Sequence, residues 1–350
     1  MGRQLTIKEI AAKAGVSAGT VDRVLHNRGK VAPDKEARVK SILEEIDFKL
    51  NLHTSAISIK KNYDIVICTP EYGPGEYWGM VNAGIRSALD EYNDLSITCT
   101  PILYDQFDDE SCRKAHASVL RHKADAVIIG PVFESETRSL CLELDKKGIP
   151  YAFVDSAVEG ASPIAAYIAD NPAGGILAGK LLRNLAGNDA GIMLCRPKHK
   201  GFEHNTQRLQ GFYDYIDASI GRDKFKEVFF SMDDSEDSSR AIMDALQTSP
   251  GIKGIAILNS RGYFVADILS ERHRNDIKVI SFDLSYNNSR CLKNDSIQIL
   301  LSQRPVTQGF NAVKALIEYI IYRDDKKNFI RMPIDILTKD NLPFYKESQI

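Results

Sequence analysis

Apolar positions in the first 46 residues recur at helical spacing. Ile7, Ile10, Ala11 and Ala14 fall on one helix face, and Val21, Val24 and Leu25 give a second helix its apolar side. Val39, Ile42, Leu43 and Ile46 follow the i, i+3, i+4, i+7 rule for a third. Thr6 can cap the first helix, with Glu9 reaching back to it. Gly15 suits the left-handed residue that ends that helix, Ser17 can cap the second, and Pro33 fits the first position of the third. Small residues at Ala11, Ala14 and Gly15 let two helices cross closely. The pattern predicts a helix-turn-helix on a third supporting helix, a form whose second helix enters the DNA major groove. An ordinary helical hairpin at a domain edge is the other reading.

After a polar connector at 47–62, the pattern becomes a regular alternation. Apolar, strand-like runs at 63–69, 96–103, 124–130 and 151–154 alternate with helical patterns at 77–92, 110–122 and 135–147. A second series has strands at 164–169, 191–195, 228–231, 254–258, 278–282, 297–301 and 332–337. Its helices fall at 172–185, 205–220, 238–246, 263–272 and 306–322. Nearly continuous apolar strands separated by amphipathic helices predict parallel sheets covered on both faces. The content is about twice that of one small open sheet, so two α/β lobes are expected. Ligands in such sheets sit beyond the carboxyl ends of the strands, here between the lobes. The connector is too short to be a stable helix alone and reads equally as a flexible linker.

Charge adds a further contrast. Residues 1–61 carry twelve Lys/Arg and seven Asp/Glu, net +5, whereas the remainder carries 33 and 40, net −7. A basic end on an acidic chain is what attraction to phosphates requires, and an inert hairpin does not need it. At 43% hydrophobic and 26% charged, the 350 residues have an ordinary globular composition. No apolar run approaches the roughly 20 residues of a membrane span. A polar opening helix in place of a signal peptide implies the cytoplasm. Six cysteines without a CxxC pair read as reduced thiols, with no metal site. No cofactor is expected. The absence of G-x-S-x-G, Walker, G-x-G-x-x-G and HExxH patterns argues against an enzyme.

Several polar residues occupy positions suited to a ligand. Asp155, Asn259 and Asp283 directly follow apolar strands, Arg208 begins a helical turn, and Tyr77-Trp78 opens a helix. Planar polar groups with aromatics suit a polyol. Each polar residue also reads as a cap or loop residue, and the aromatics as core.

In the first 31 residues, Thr6-Ile7-Lys8-Glu9-Ile10-Ala11, Ala14-Gly15-Val16-Ser17, Thr20-Val21, Arg23-Val24-Leu25-His26-Asn27 and Val31 resemble the lactose-repressor (LacI) family of bacterial transcription regulators. Farther along, Asp170-Asn171 with Gly174-Gly175, Arg208-Leu209-Gln210-Gly211-Phe212, Ile257-Leu258-Asn259, Ile280-Ser281-Phe282-Asp283 and Ser302-Gln303-Arg304-Pro305 are similar to its effector domain. The resemblance implies an all-α helix-turn-helix head at 1–49, a hinge or linker at 50–62 and an effector domain at 63–350. That domain would comprise two doubly wound, parallel-sheet lobes of the periplasmic-binding-protein type I kind. The N-lobe would span about 63–168 and 304–324, and the C-lobe about 171–301 and 328–350. The chain would cross between them near 169–171, 301–304 and 324–328.

The resemblance further implies a homodimeric repressor of a near-palindromic double-stranded DNA operator. A small ligand would control it, with a carbohydrate, either a sugar or a sugar derivative, as the expected class. It places Thr6, Ser17, Ala18, Gly19, Thr20, Arg23 and His26 against DNA. Arg23 can grip guanine bidentately. Ile57 stands where the family inserts a leucine into the minor groove. Ala18 and Gly19 replace larger polar residues, so the operator should differ. Leu50 replaces the usual proline, and the family's basic residue is missing from 53–56. Tyr77 and Trp78 sit where the family's first lobe presents aromatic residues to the ligand; with them, Asp155, Arg208, Asn259 and Asp283 are the candidate effector contacts, and Gln303, at an expected crossing, is hinge or ligand contact. Control by a protein co-regulator or a non-sugar metabolite is the alternative, as is a sugar receptor without DNA activity.

Overall fold

The computed structural model describes residues 7–25, 31–45, 61–73, 75–198 and 206–345. The chain divides into two compact units, Met1–Lys60 and Lys61–Ile350. In the first, helices α1 (Ile7–Ala14), α2 (Ala18–Leu25) and α3 (Pro33–Glu45) enclose a small core. Ile10, Val21 and Val39 are fully buried there, joined by Ala11 and Ala14, with Val16, Val24, Ile42 and Leu43 packed around them. Gly15 has φ +62°. Around it Val16 N donates to Ala11 O at 3.0 Å and Gly15 N to Ala12 O at 3.3 Å. This paired closure ends α1 and turns the chain into α2, and it favours glycine because an L side chain strains at that φ.

The second unit holds two six-stranded sheets. In the N-lobe the strands are β1 (Tyr63–Pro70), β2 (Ile97–Tyr104), β3 (Ala126–Ile129), β4 (Tyr151–Asp155), β5 (Ala165–Ala169) and β11 (Asn328–Met332). The C-lobe has β6 (Gly191–Pro197), β7 (Phe225–Phe230), β8 (Ile252–Ala256), β9 (Lys278–Phe282), β10 (Ile299–Ser302) and β12 (Asp335–Leu337). Their orders, β2-β1-β3-β4-β5-β11 and β7-β6-β8-β9-β10-β12, correspond position for position. Every pairing is parallel except β10 with β12. Inner strands such as β3 are buried along their whole length, as a sheet covered on both faces requires.

Helices α4 (Tyr77–Glu91), α5 (Asp109–Arg121), α6 (Glu134–Lys147) and α12 (Pro305–Ile320) cover the N-lobe sheet. Helices α7 (Asn171–Ala186), α8 (Thr206–Ser219), α9 (Ser235–Thr248), α10 (Gly262–Glu271) and α11 (Tyr286–Lys293) cover the C-lobe sheet. Among the described residues, no helix is long and apolar enough to cross a membrane.

The chain passes between lobes after Ala169, after Ser302 and after Met332. The third passage corrects the expected crossing at 324–328 and the expected assignment of 328–332 to the C-lobe. Residues 328–332 pair in parallel with β5, in the N-lobe sheet. The single strand expected at 332–337 is two strands in different lobes, parted at Pro333. Proline has no N–H for a ladder, so it suits the break.

Candidate functional site

In the head, the first turn of α2 is exposed. Ser17 Oγ accepts from Thr20 N at 3.2 Å and lies 2.9 Å from Thr20 Oγ1. The hydroxyl expected at DNA is therefore also the helix cap. Ser17, Ala18, Gly19 and Arg23 are exposed and Thr20 is half-buried. Arg23 folds along its own helix, donating Nε to Gly19 O at 2.9 Å. Thr6, His26 and Ile57 lie outside the described residues.

In the body, all seven expected cleft residues line one cavity of about 130 Å³ between the lobes: Tyr77, Trp78, Asp155, Arg208, Asn259, Asp283 and Gln303. Two pairs of glycines bring the supporting helices together. A Cβ on Gly175 (α7) would stand 2.0 Å from Arg208 O, and one on Gly211 (α8) 2.1 Å from Pro172 O. The N-lobe repeats the device: Gly84 (α4) would meet Val306 O at 1.9 Å, and Gly309 (α12) Val81 O at 2.0 Å. Backbone contact at these crossings fixes the first turns of α4 and α8, which carry Tyr77-Trp78 and Arg208.

Arg208 is 3% exposed and its fork is largely engaged by protein. Nε and Nη2 donate to Asn171 Oδ1 at 3.0 and 2.6 Å. Nη1 donates to Leu258 O at 3.0 Å, and Nη2 to Gln303 Oε1 at 2.7 Å. The guanidinium carbon lies 4.1 Å from the Phe282 ring centroid, a cation–π contact. Burial lowers the Arg208 pKa from its ordinary value, opposed by the charges of Asp283 and Asp155. The fork thus organises the site from beneath while still lining it.

Gln303 lies at the second passage and on the cavity wall. It follows β10 and donates Nε2 to Asp283 Oδ1 at 3.0 Å. Its carbonyl accepts from Gln308 Nε2 at 2.8 Å, and Gln308 Oε1 in turn accepts from Asp155 N at 2.7 Å. A continuous chain of hydrogen bonds therefore links Arg208, Gln303, Gln308 and Asp155 across the lobes.

Asp155 and Asp283 end the equivalent strands β4 and β9 with φ +72° and +62°. Non-glycine residues seldom adopt this conformation, and aspartate tolerates it better than most. The same sparsely populated geometry thus places a carboxylate on each wall. Asn259 Oδ1 accepts from Arg261 N at 3.0 Å, ordering the loop after β8.

Tyr77 and Trp78 meet edge to face, with ring centroids 5.2 Å apart. Both are nearly buried, so they are core and cavity wall together. The end of the indole lies over Gly130, where a Cβ would come within 2.5 Å. The Tyr77 hydroxyl is buried without a hydrogen-bond partner among the described residues. Burial first, then the charges of Asp155 and Asp283, raises its pKa well above the ordinary value.

Sequence reasoning missed Arg261 and Tyr286, which also line the cavity. The Arg261 guanidinium lies 5.3 Å from the Phe107 ring of the opposite lobe. Tyr286 N donates to Gly75 O at 3.1 Å, joining the lobes at the rim. Arg261 lies within reach of the strand-end rule, two residues past Asn259. Tyr286 belongs to a helix whose polar sequence gives little apolar signal. Among the described residues, no group of three His, Cys, Asp or Glu side chains is arranged to hold a metal.

Residues 65–324 match the periplasmic binding protein domain, and residues 6–51 the bacterial regulatory proteins of the lacI family. A ribose operon repressor from Halalkalibacterium halodurans is 22% identical over 279 residues, covering 79% of this chain and 80% of that protein. A Bacteroides fragilis structure assigned to the LacI transcriptional regulators superposes with TM-score 0.77 at 31% identity, covering 82% of this chain and all of that one. The transcriptional regulator CelR in complex with cellobiose has TM-score 0.60 at 17% identity, covering 96% and 99%.

Proposed function

We propose, for a chain that belongs to the lacI family of bacterial regulatory proteins and is thus a DNA-binding transcriptional regulator rather than an enzyme, that a saccharide between its lobes controls its hold on an operator. The observation that carries this reading is the cavity to which both lobes contribute Tyr77, Trp78, Asp155, Arg208 and Asp283. Carboxylates on each wall accept hydrogen bonds from hydroxyls, the Tyr77–Trp78 pair offers apolar surface to C–H groups, and Arg208 and Gln303 hold the polar groups in register. The ribose operon repressor and the cellobiose complex support a sugar as effector and repression as the mode. Ser17, Ala18, Gly19, Thr20 and Arg23 form the DNA-facing surface of α2. Two copies bind a near-palindromic operator in the cytoplasm, and lobe closure around the ligand sets how they engage it.

Calorimetric titration of the full-length protein with a saccharide panel tests this reading. Binding that weakens at least tenfold in Asp283→Asn, with the fold retained, supports it. Failure of every saccharide to bind overturns the sugar assignment and leaves a protein co-regulator or a non-sugar metabolite as the competing effector.

A further inference from the structure

A second and larger cavity adjoins the first. Its volume is about 970 Å³, and Phe107, Phe133, Ser156, Val158, Thr206 and Gln207 contribute to its walls. Three times the lining passes from one chamber to the other between chain neighbours: Gln106 to Phe107, Asp155 to Ser156, and Arg208 to Gln207. Asn171, on the wall of the large chamber, accepts the Arg208 hydrogen bonds beneath the small one. Ser156 Oγ donates to Asp155 Oδ2 at 2.9 Å across the same partition.

The sizes divide the work between the chambers. An apolar cavity of about 150 Å³ holds benzene, so about 130 Å³ has room for no more than one sugar ring. The larger chamber lies near the upper end of the roughly 300–1,000 Å³ span of small-ligand sites. Its lining mixes aromatic and aliphatic surface with hydroxyls and amides. The charged residues among its described lining are all carboxylates: Asp109, Glu134 and Glu136. Arg113 pairs with Asp109 and Glu136, and Arg138 with Glu134, so the described lining presents no cation to a phosphate or an acidic sugar at this end.

We propose that the cleft takes a neutral saccharide of at least two units, its terminal ring in the small chamber and the next ring in the large one. This rests on the reading that the effector is a saccharide. The full-length protein is titrated calorimetrically with cellobiose, lactose and maltose, and with D-glucose and D-galactose as single rings. The same titrations are made on Ala157→Trp, which places an indole on the large chamber's wall, after thermal melting confirms that it folds.

At least one disaccharide is expected to bind ten times more tightly than its component monosaccharides. Ala157→Trp should weaken that disaccharide at least tenfold more than it weakens the monosaccharides. Monosaccharides binding as tightly as every disaccharide, or equal weakening of both classes by the variant, overturns the two-chamber proposal while leaving the saccharide reading intact. No binding by any of the five sugars overturns the two-chamber proposal, and failure of the wider saccharide panel as well overturns the saccharide reading.

Discussion

Arg208 shows how a residue shapes a site without being its most available group. Four hydrogen bonds and the Phe282 ring hold it. Removing the donor of a buried hydrogen-bond network costs about 1–3 kcal/mol, because its acceptors stay buried and unsatisfied. Arg208→Ala should therefore lower unfolding free energy by about that amount in urea titrations. A loss below about 1 kcal/mol would contradict the network. His116 is a second test, outside the lining of both chambers. Burial lowers its pKa from 6.5 to about 4, so the folded protein resists a proton that the unfolded chain accepts. Stability present above pH 6.5 is then lost as pH falls toward 4, by up to about 3 kcal/mol. Urea midpoints at pH 7 and pH 4.5 should converge in His116→Gln relative to wild type; equal pH slopes would remove this role. The strand-end rule makes Asp155, Asn259 and Asp283 legible in the sequence. Gln308 is not, because it acts across a long sequence separation and carries no local pattern, and Asn171 shows only within the Asp170-Asn171 motif, without its role beneath Arg208.

Among the elements, the glycine crossings make the sharpest demand. A methyl at Gly175 or Gly211 would lie about 2 Å from backbone, which no rotamer can relieve. Gly175→Ala should separate α7 from α8, shift Arg208 and cost about 1–3 kcal/mol, the usual range for overpacking. Thermal melting, with saccharide titration alongside, checks it; unchanged melting and binding would show that the crossing is soft. The rim makes a related demand. Gly75 has φ +74°, and a Cβ there would meet Tyr286 Cβ at 2.8 Å. Most strands and helices are readable from the sequence because burial imposes period 2, period 3.6 or an unbroken apolar run. Helix α11 is not: its buried side chains are Asn288, Cys291 and Leu292, too few for a periodic signal. The division of β11 from β12 is hidden for a different reason. Lobe membership is a matter of pairing, and Pro333 marks a break without naming the partners on either side.

For the whole molecule, the net charge of +5 over residues 1–61, against −7 over the rest, sets the terms of DNA binding. Contacts to phosphates release counterions, so DNA affinity should fall steeply as salt rises, with a log–log slope that grows with the number of phosphates neutralised. Charge asymmetry and helical spacing make this head legible in the chain itself, whereas the cleft's two chambers form only when loops distant in sequence meet. Coupling between cleft and operator is a difference in ligand affinity between protein states, and it must appear in both binding equilibria. The most direct measurement is fluorescence anisotropy of a labelled operator, selected from random duplexes by the full-length protein, with and without the saccharide found by calorimetry. Operator affinity should change at least tenfold for wild type, and not at all at the same sugar concentration for an Asp283→Asn variant that no longer binds it. An operator affinity that stays the same while wild type is saturated with the sugar would contradict the claim that the cleft controls the head.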